Sequence, residues 1–99
     1  MTSNRPENNI YRQLEKIVKG FANHRRIEIA RLLEREPGLS LIDISDHLRI
    51  NFKTASEHVR RLTLAGLVSK KYHGANVHHQ VTDLGGIILK FLRILEKVE

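Results

Sequence analysis

The sequence contains no cysteine. Disulfides and thiolate metal sites are therefore excluded, and a reducing compartment is compatible with the composition. No apolar run approaches the length needed to span a bilayer. Residues 1–9 are polar and lack the apolar region of a signal peptide. These absences lead us to expect a soluble, cytoplasmic protein without a membrane partner. Repeats and low-complexity segments are also missing. So are the constellations of an enzyme: there is no glycine-rich phosphate loop, no Ser/His/acid spacing and no carboxylate pair. Gly85-Gly86 lacks the surrounding pattern of a nucleotide site and reads as a point of close packing. No catalytic residue and no cofactor is assigned.

What is present is one small domain's worth of chain, 99 residues, with a formal net charge of +6 and a pI near 10.1. A core of this size is modest, so burial against a second copy would add stability. The distribution of charge is more informative than its total. Residues 47–73 carry Arg49, Lys53, Arg60, Arg61, Lys70 and Lys71 against Glu57 alone, while the flanking segments are nearly neutral. Concentrated cationic charge suits a polyanion.

The chain divides into recognisable pieces. Residues 1–8 are expected to form a flexible tail, ahead of a domain over residues 9–99. Ile10, Leu14, Ile17, Val18 and Phe21 recur at helical spacing, with Gly20 ending or loosening the helix. Asn23 is placed to cap a second helix whose apolar residues are Ile27, Ile29, Ala30, Leu32 and Leu33, stopped by Pro37-Gly38. Ser40 opens a short third helix, with Asp43 near its positive end and Leu41, Ile44 and Leu48 as its buried stripe. After a tight connection at Arg49-Ile50, Asn51 caps a fourth helix that runs to about Ala65, with Gly66 as its left-handed stop. Leu67–Tyr72 and Val77–Val81 are strands of a hairpin, turned where Gly74 and Asn76 tolerate positive φ. Thr82 or Asp83 starts a last helix. The expected fold is mainly α with a β-hairpin, in the order of a winged helix-turn-helix.

Two stretches resemble a known family. FANHRRIEIARLLE and LIDISDHLRINFKTASEHVRRLTLAGLVSKK are similar to the second helix, the helix-turn-helix and the wing entry of ArsR-type repressors. His58 and the AGLV run at 65–68 are the most specific parts, while VTDLG at 81–85 is closer to MarR-like winged helices. The resemblance implies the fold and binding of double-stranded DNA. It does not carry over metal sensing: where sensing members have a Cys-x-Cys pair, this chain has Ser40 and Ile42.

Angles around the fourth helix sharpen the expectation. Phe52, Ala55, Val59 and Leu62 fall on one stripe, with Phe52 at its edge and expected in the core rather than on a thymine. The other side presents Lys53, Thr54, Glu57, Arg60 and Arg61, flanked by Ser56 and His58. Asn51, Lys53, Thr54 and Ser56 are near the helix start, where base edges are read. Arg60 and Arg61 suit phosphates, as do Lys70, Lys71 and His73 on the wing. Glu57 can accept from cytosine N4 or pair with Lys53 and Arg61, and we adopt the internal pairing. His58 is expected to bond within the domain. The histidine cluster His73, His78 and His79 makes no two-ligand site on one strand, because His78 and His79 point to opposite faces. No metal is expected, with a zinc shared across a dimer as the alternative.

The last helix holds Leu84, Ile87, Ile88, Leu89, Phe91, Leu92, Ile94, Leu95 and Val98, too much apolar surface for one packing stripe. Leu84, Ile88, Phe91 and Leu95 are therefore expected at a homodimer interface, joined by Tyr11, Leu14 and Val18 of the first helix. The functional expectation is a dimeric DNA-binding transcription regulator. A protein-protein interaction module or a nonspecific architectural DNA binder on the same scaffold is the alternative.

Overall fold

The computed structural model describes residues 6–98. Five helices and one hairpin follow in the order α1 (Pro6–Phe21), α2 (His24–Arg35), α3 (Leu41–Leu48), α4 (Phe52–Leu64), β1 (Val68–His73), β2 (Asn76–Val81) and α5 (Asp83–Glu96). Residues 1–5 of the expected tail lie outside the described residues, and residues 6–8 are helical rather than part of a tail. None of the described helices is long and apolar enough to cross a membrane.

Short-range chemistry sets the helix starts. Asn23 is extended, and its side-chain oxygen accepts from the amides of Arg25 and Arg26, two of the donors a helix start leaves unpaired. Ser40 and Asp43 form a reciprocal capping box, each side chain accepting from the other's backbone amide at 3.2 Å. Thr82, rather than Asp83, caps α5 by accepting from Gly85 N at 3.0 Å. Gly66, at φ 80°, supplies the left-handed residue after α4. The hairpin is closed by the pair His73↔Asn76 around Gly74-Ala75. Gly74 alone takes positive φ there, and Asn76 is an ordinary strand residue, contrary to the expectation for it.

The core is one cluster: Ile29, Leu32 and Leu33 from α2, Ile44 from α3, Ala55, Val59 and Leu62 from α4, and Leu67 and Val68 at the wing entry. Helix α2 touches every other helix and β2, so it is the strut of the domain. Gly20 stays inside α1 and does not end it. A Cβ there would collide with that of Ala65, so glycine is what lets α1 lie close to the end of α4. Buried Leu89 lies by Ile27 and Ala30 of α2, and two ion pairs, Arg31 with Glu96 and Arg93 with Glu34, also join α5 to α2. Both pairs are partly exposed and orient the helix more than they stabilise it.

The wing is fastened to the α2–α3 connection. Leu39 and His79 form an antiparallel bridge, with Gly38 N donating to His79 O at 2.8 Å and His79 N donating to Leu39 O at 2.9 Å. The His79 ring adds a contact from Nδ1 to the same Leu39 carbonyl at 2.9 Å, and His78 Nδ1 meets the Gly38 carbonyl at 2.6 Å. Both acceptors require a protonated Nδ1, and in a neutral His79 ring Nε2 then carries no proton. For His79, only 1% exposed, that Nε2 is buried without a partner.

A proton on His79 Nε2 would place an uncompensated charge in the core. Burial holds its pKa below the ordinary histidine value, opposed by the Leu39 carbonyl and reinforced by the charges of Lys70 and His78. The unfolded chain therefore binds more protons, so the stability linked to this ring is full above pH ~6.5 and declines as the pH falls below it. Chemical denaturation at pH 7.5 and 5.5 should show the loss. In His79→Phe, which keeps the backbone bond to Leu39, the drop between the two pH values should be smaller. An equal drop would remove His79 as its source.

Candidate nucleic-acid interface

The helix-turn-helix is built from the turn outward. Ser45 Oγ donates to Ile50 O at 2.6 Å, and Ile50 N donates back to Ser45 O at 3.1 Å. Between them Arg49 adopts the left-handed conformation, φ 54°, the only described non-glycine residue with positive φ. That conformation costs an L-residue roughly 1–2 kcal/mol, and the bonds on either side hold it. The sequence marks Arg49 as turn but gives no sign of the Ser45 staple, because serine is common in helices that make no such bond. Asn51 then caps α4, its Oδ1 accepting from Lys53 N at 2.8 Å and Thr54 N at 3.3 Å.

Packing decides which side of α4 is available. Ala55, Val59 and Leu62 are buried, while Asn51, Phe52, Lys53, Thr54, Glu57, Arg60 and Arg61 are exposed and Ser56 is half-buried. Phe52 differs from expectation. It is 50% exposed and stands outside the core cluster. As the first residue of α4 it has no preceding helical turn to cover it, so an angle near the buried stripe does not bury the ring.

Glu57 is internally paired, with a different set of partners from the expected one. Its carboxylate receives both Arg60 Nε at 3.0 Å and Arg60 Nη2 at 2.7 Å, and also Arg61 Nε at 3.0 Å. Lys53 is not among them. The planar guanidinium of Arg60, three residues on, makes two parallel bonds that an ammonium cannot match. The two guanidiniums hold the Glu57 pKa down to about 2, through hydrogen bonds first and charge second. The carboxylate is therefore ionised throughout the ordinary pH range, and the cationic face of α4 carries a fixed negative centre.

His58 lies on the inner flank, its Nδ1 3.5 Å from Arg26 Nη1. Burial, followed by the charge of Arg26, lowers its pKa. His58 thus lies against α2 within the domain, as the sequence reading has it. Arg26 itself was not anticipated. Its Nη2 donates to Lys19 O at 3.3 Å, which ties α1 to α2 beneath α4, and no short-range pattern signals that contact.

The wing residues divide. In the register Lys70↔His79 and Lys71↔His78, the two lysines point to opposite faces. Lys71 and His73 share a face with His78, whose ring is 5.0 Å from that of His73. With Pro37, Gly38 and Gln80 they line a cleft of about 260 Å³ between the wing and the α2–α3 connection. Lys70 is on the other face, beside exposed Tyr72. Among the described residues, no three His, Asp or Glu side chains gather in a group that could hold a metal ion.

The apolar terminal helices also sort into two sets. Leu84 and Ile88 pack partly against the core, whereas Phe91 and Leu95 are exposed. Ile87, Ile94 and Val98 are exposed beside them, as are Ile10, Tyr11, Leu14 and Val18 on α1. Helix α1 rests on α2 and α4, and α5 rests on α2 and β2.

Solved structures of the same fold span most or all of this chain. A homodimeric winged helix-turn-helix DNA-binding domain from Mycobacterium bovis, described as a possible ArsR-family regulator, superposes with a TM-score of 0.86 at 20% identity. It covers 100% of this chain and 94% of its own. NolR from Sinorhizobium fredii gives 0.83 at 19% identity, with 100% of both chains covered. The transcriptional repressor PagR of Bacillus anthracis gives 0.72 at 21%, covering 83% of this chain and 98% of its own. At these identities the likeness is one of fold, and the fold is a winged helix-turn-helix. No curated protein matches the sequence. The arsR family of bacterial regulatory proteins matches residues 23–70, from the cap of α2 into β1. The likeness to the arsR family thus lies in the helix-turn-helix and the entry to the wing.

Proposed function

We propose that this protein is a homodimeric transcription regulator that binds double-stranded DNA, with α4 in the major groove and the wing against the backbone. The observation that carries the reading is the exposed, cation-bearing side of α4, presented by a buried opposite side within a helix-turn-helix that matches the arsR family. Lys53, Thr54 and Ser56 are in position for base edges, with Asn51 holding the helix start. Arg60, Arg61 and Lys71 face phosphates, with His73 beside Lys71 and Lys70 on the far face of the wing. Its relatives from Mycobacterium bovis and Bacillus anthracis are a DNA-binding domain and a transcriptional repressor, and we extend DNA binding to this chain on that basis. Its place of action is then the compartment that holds the DNA, the cytoplasm of a bacterial or archaeal cell. Nothing in this reading calls for catalysis.

The apolar surface left open supports a second copy on the terminal helices. Exposed Ile87, Phe91, Ile94 and Leu95 make one stripe of α5, with exposed Val98 just past its end, and the exposed residues of α1 make another. Patches of this extent mark interaction sites. A two-fold partner would cover both and set two α4 helices on a pseudo-palindromic site.

Gel shifts on duplex DNA at two salt concentrations test the reading. Affinity should fall steeply with salt, and Lys71→Ala should flatten the slope by about one unit for every duplex. No retardation at low salt, together with capture of a protein partner, would replace this reading by that of an interaction module. Equal competition by unrelated duplexes would make it an architectural binder. Replacing Phe91 and Leu95 together by Glu should convert a dimer into a monomer that retains its helical circular dichroism. Sedimentation of the wild type as a monomer at micromolar concentration would contradict the dimer. Glu57→Gln should release Arg60 and Arg61 and raise affinity for all duplexes. A loss confined to the preferred site would instead assign Glu57 to cytosine.

A further inference from the structure

We propose that Phe52 reads the 5-methyl group of a thymine in the major groove. The inference rests on the duplex-binding reading above and adds a base preference to it. Phe52 is the first residue of α4, half exposed, and outside the core cluster. It belongs to α4 and not to the apolar stripes of α1 and α5. Its neighbours Asn51, Lys53 and Thr54 are exposed with it, at the end of the helix that meets base edges in this class of domain.

The chemistry of the helix tip narrows the choice of base. Asn51 would need a free carbonyl oxygen and a free amide to grip adenine on two atoms. Its Oδ1 already accepts from Lys53 N and Thr54 N, so that grip is closed while α4 stays capped. A phenyl ring offers neither donor nor acceptor. Among the four bases, thymine alone presents an apolar group in the major groove, its C5 methyl. Contact with that methyl removes exposed apolar surface on both sides. The other bases would set polar edges against the ring and leave them unpaired.

The test uses the full chain and a duplex enriched by it from a random-sequence library. Thymines in that duplex are replaced one at a time by deoxyuridine, which lacks only the methyl. One thymine in each half-site should weaken wild-type binding about fourfold when replaced, the factor one buried methyl is worth. Phe52→Ala should bind the thymine and deoxyuridine duplexes equally, and Phe52→Leu should keep part of the difference. Thermal melts should stay near those of the wild type, as expected for an exposed side chain. Indifference of the wild type to deoxyuridine at every position, or a penalty that persists in Phe52→Ala, would overturn the inference while leaving duplex binding intact. Failure to enrich any duplex would overturn both.

Discussion

Ala55, Val59 and Leu62 lie on one side of α4, and their packing against the α2 and α3 core determines which side of that helix meets solvent. Every proposed contact with DNA depends on that rotation. Turning the helix by one position would bury Ser56 or Arg60 and expose Val59. The cost would be an unpaired polar group or charge in the core as well as lost apolar burial. The rotation is therefore held by energies larger than any single surface contact. Asn51 fixes the start of the same helix, so both its phase and its end are set before any ligand arrives.

The wing extends the same rigid unit. A two-stranded hairpin alone is marginal in water. Here the Leu39–His79 bridge and the two ring contacts to residues 38 and 39 join it to the connection that leads into α3. The helix-turn-helix and the wing then present their cations as one body, which lowers the conformational entropy that the proposed binding of a rigid duplex would cost. The same fastening sets two histidines to structural work on opposite faces of one strand.

Electrostatics divides the basic segment into parts of unequal reach. Arg60 and Arg61 share a carboxylate, whereas Lys53 and Lys71 take no part in that cluster. The pair near the end of α4 is thus partly neutralised and held in place, and the lysines carry the freer charge. A net charge counted along the sequence hides this difference. It matters because a tethered arginine loses less side-chain freedom when it meets a phosphate.

The sequence by itself determined whatever depends on a few consecutive residues. The caps at Asn23, Ser40 and Asn51, the left-handed stop at Gly66, the hairpin and the order of elements were all legible, because a cap or turn is satisfied by atoms within about three residues of it. The concentration of cations in residues 47–73 was equally plain. The tertiary structure decided what depends on distance and direction. It turned Leu84 and Ile88 inward and left Ile87 and Ile94 outside, because the phase of α5 is set by its contact with α2 and β2. It put Lys71 rather than Lys70 on the face that lines the cleft under the wing, once the register was fixed. It gave Glu57 to Arg60 instead of Lys53, since bidentate geometry outweighs equal spacing. Phe52 was left in solvent because the stripe it begins is covered only from the next turn onward, and helical periodicity describes the side of a helix but not where along it the cover starts.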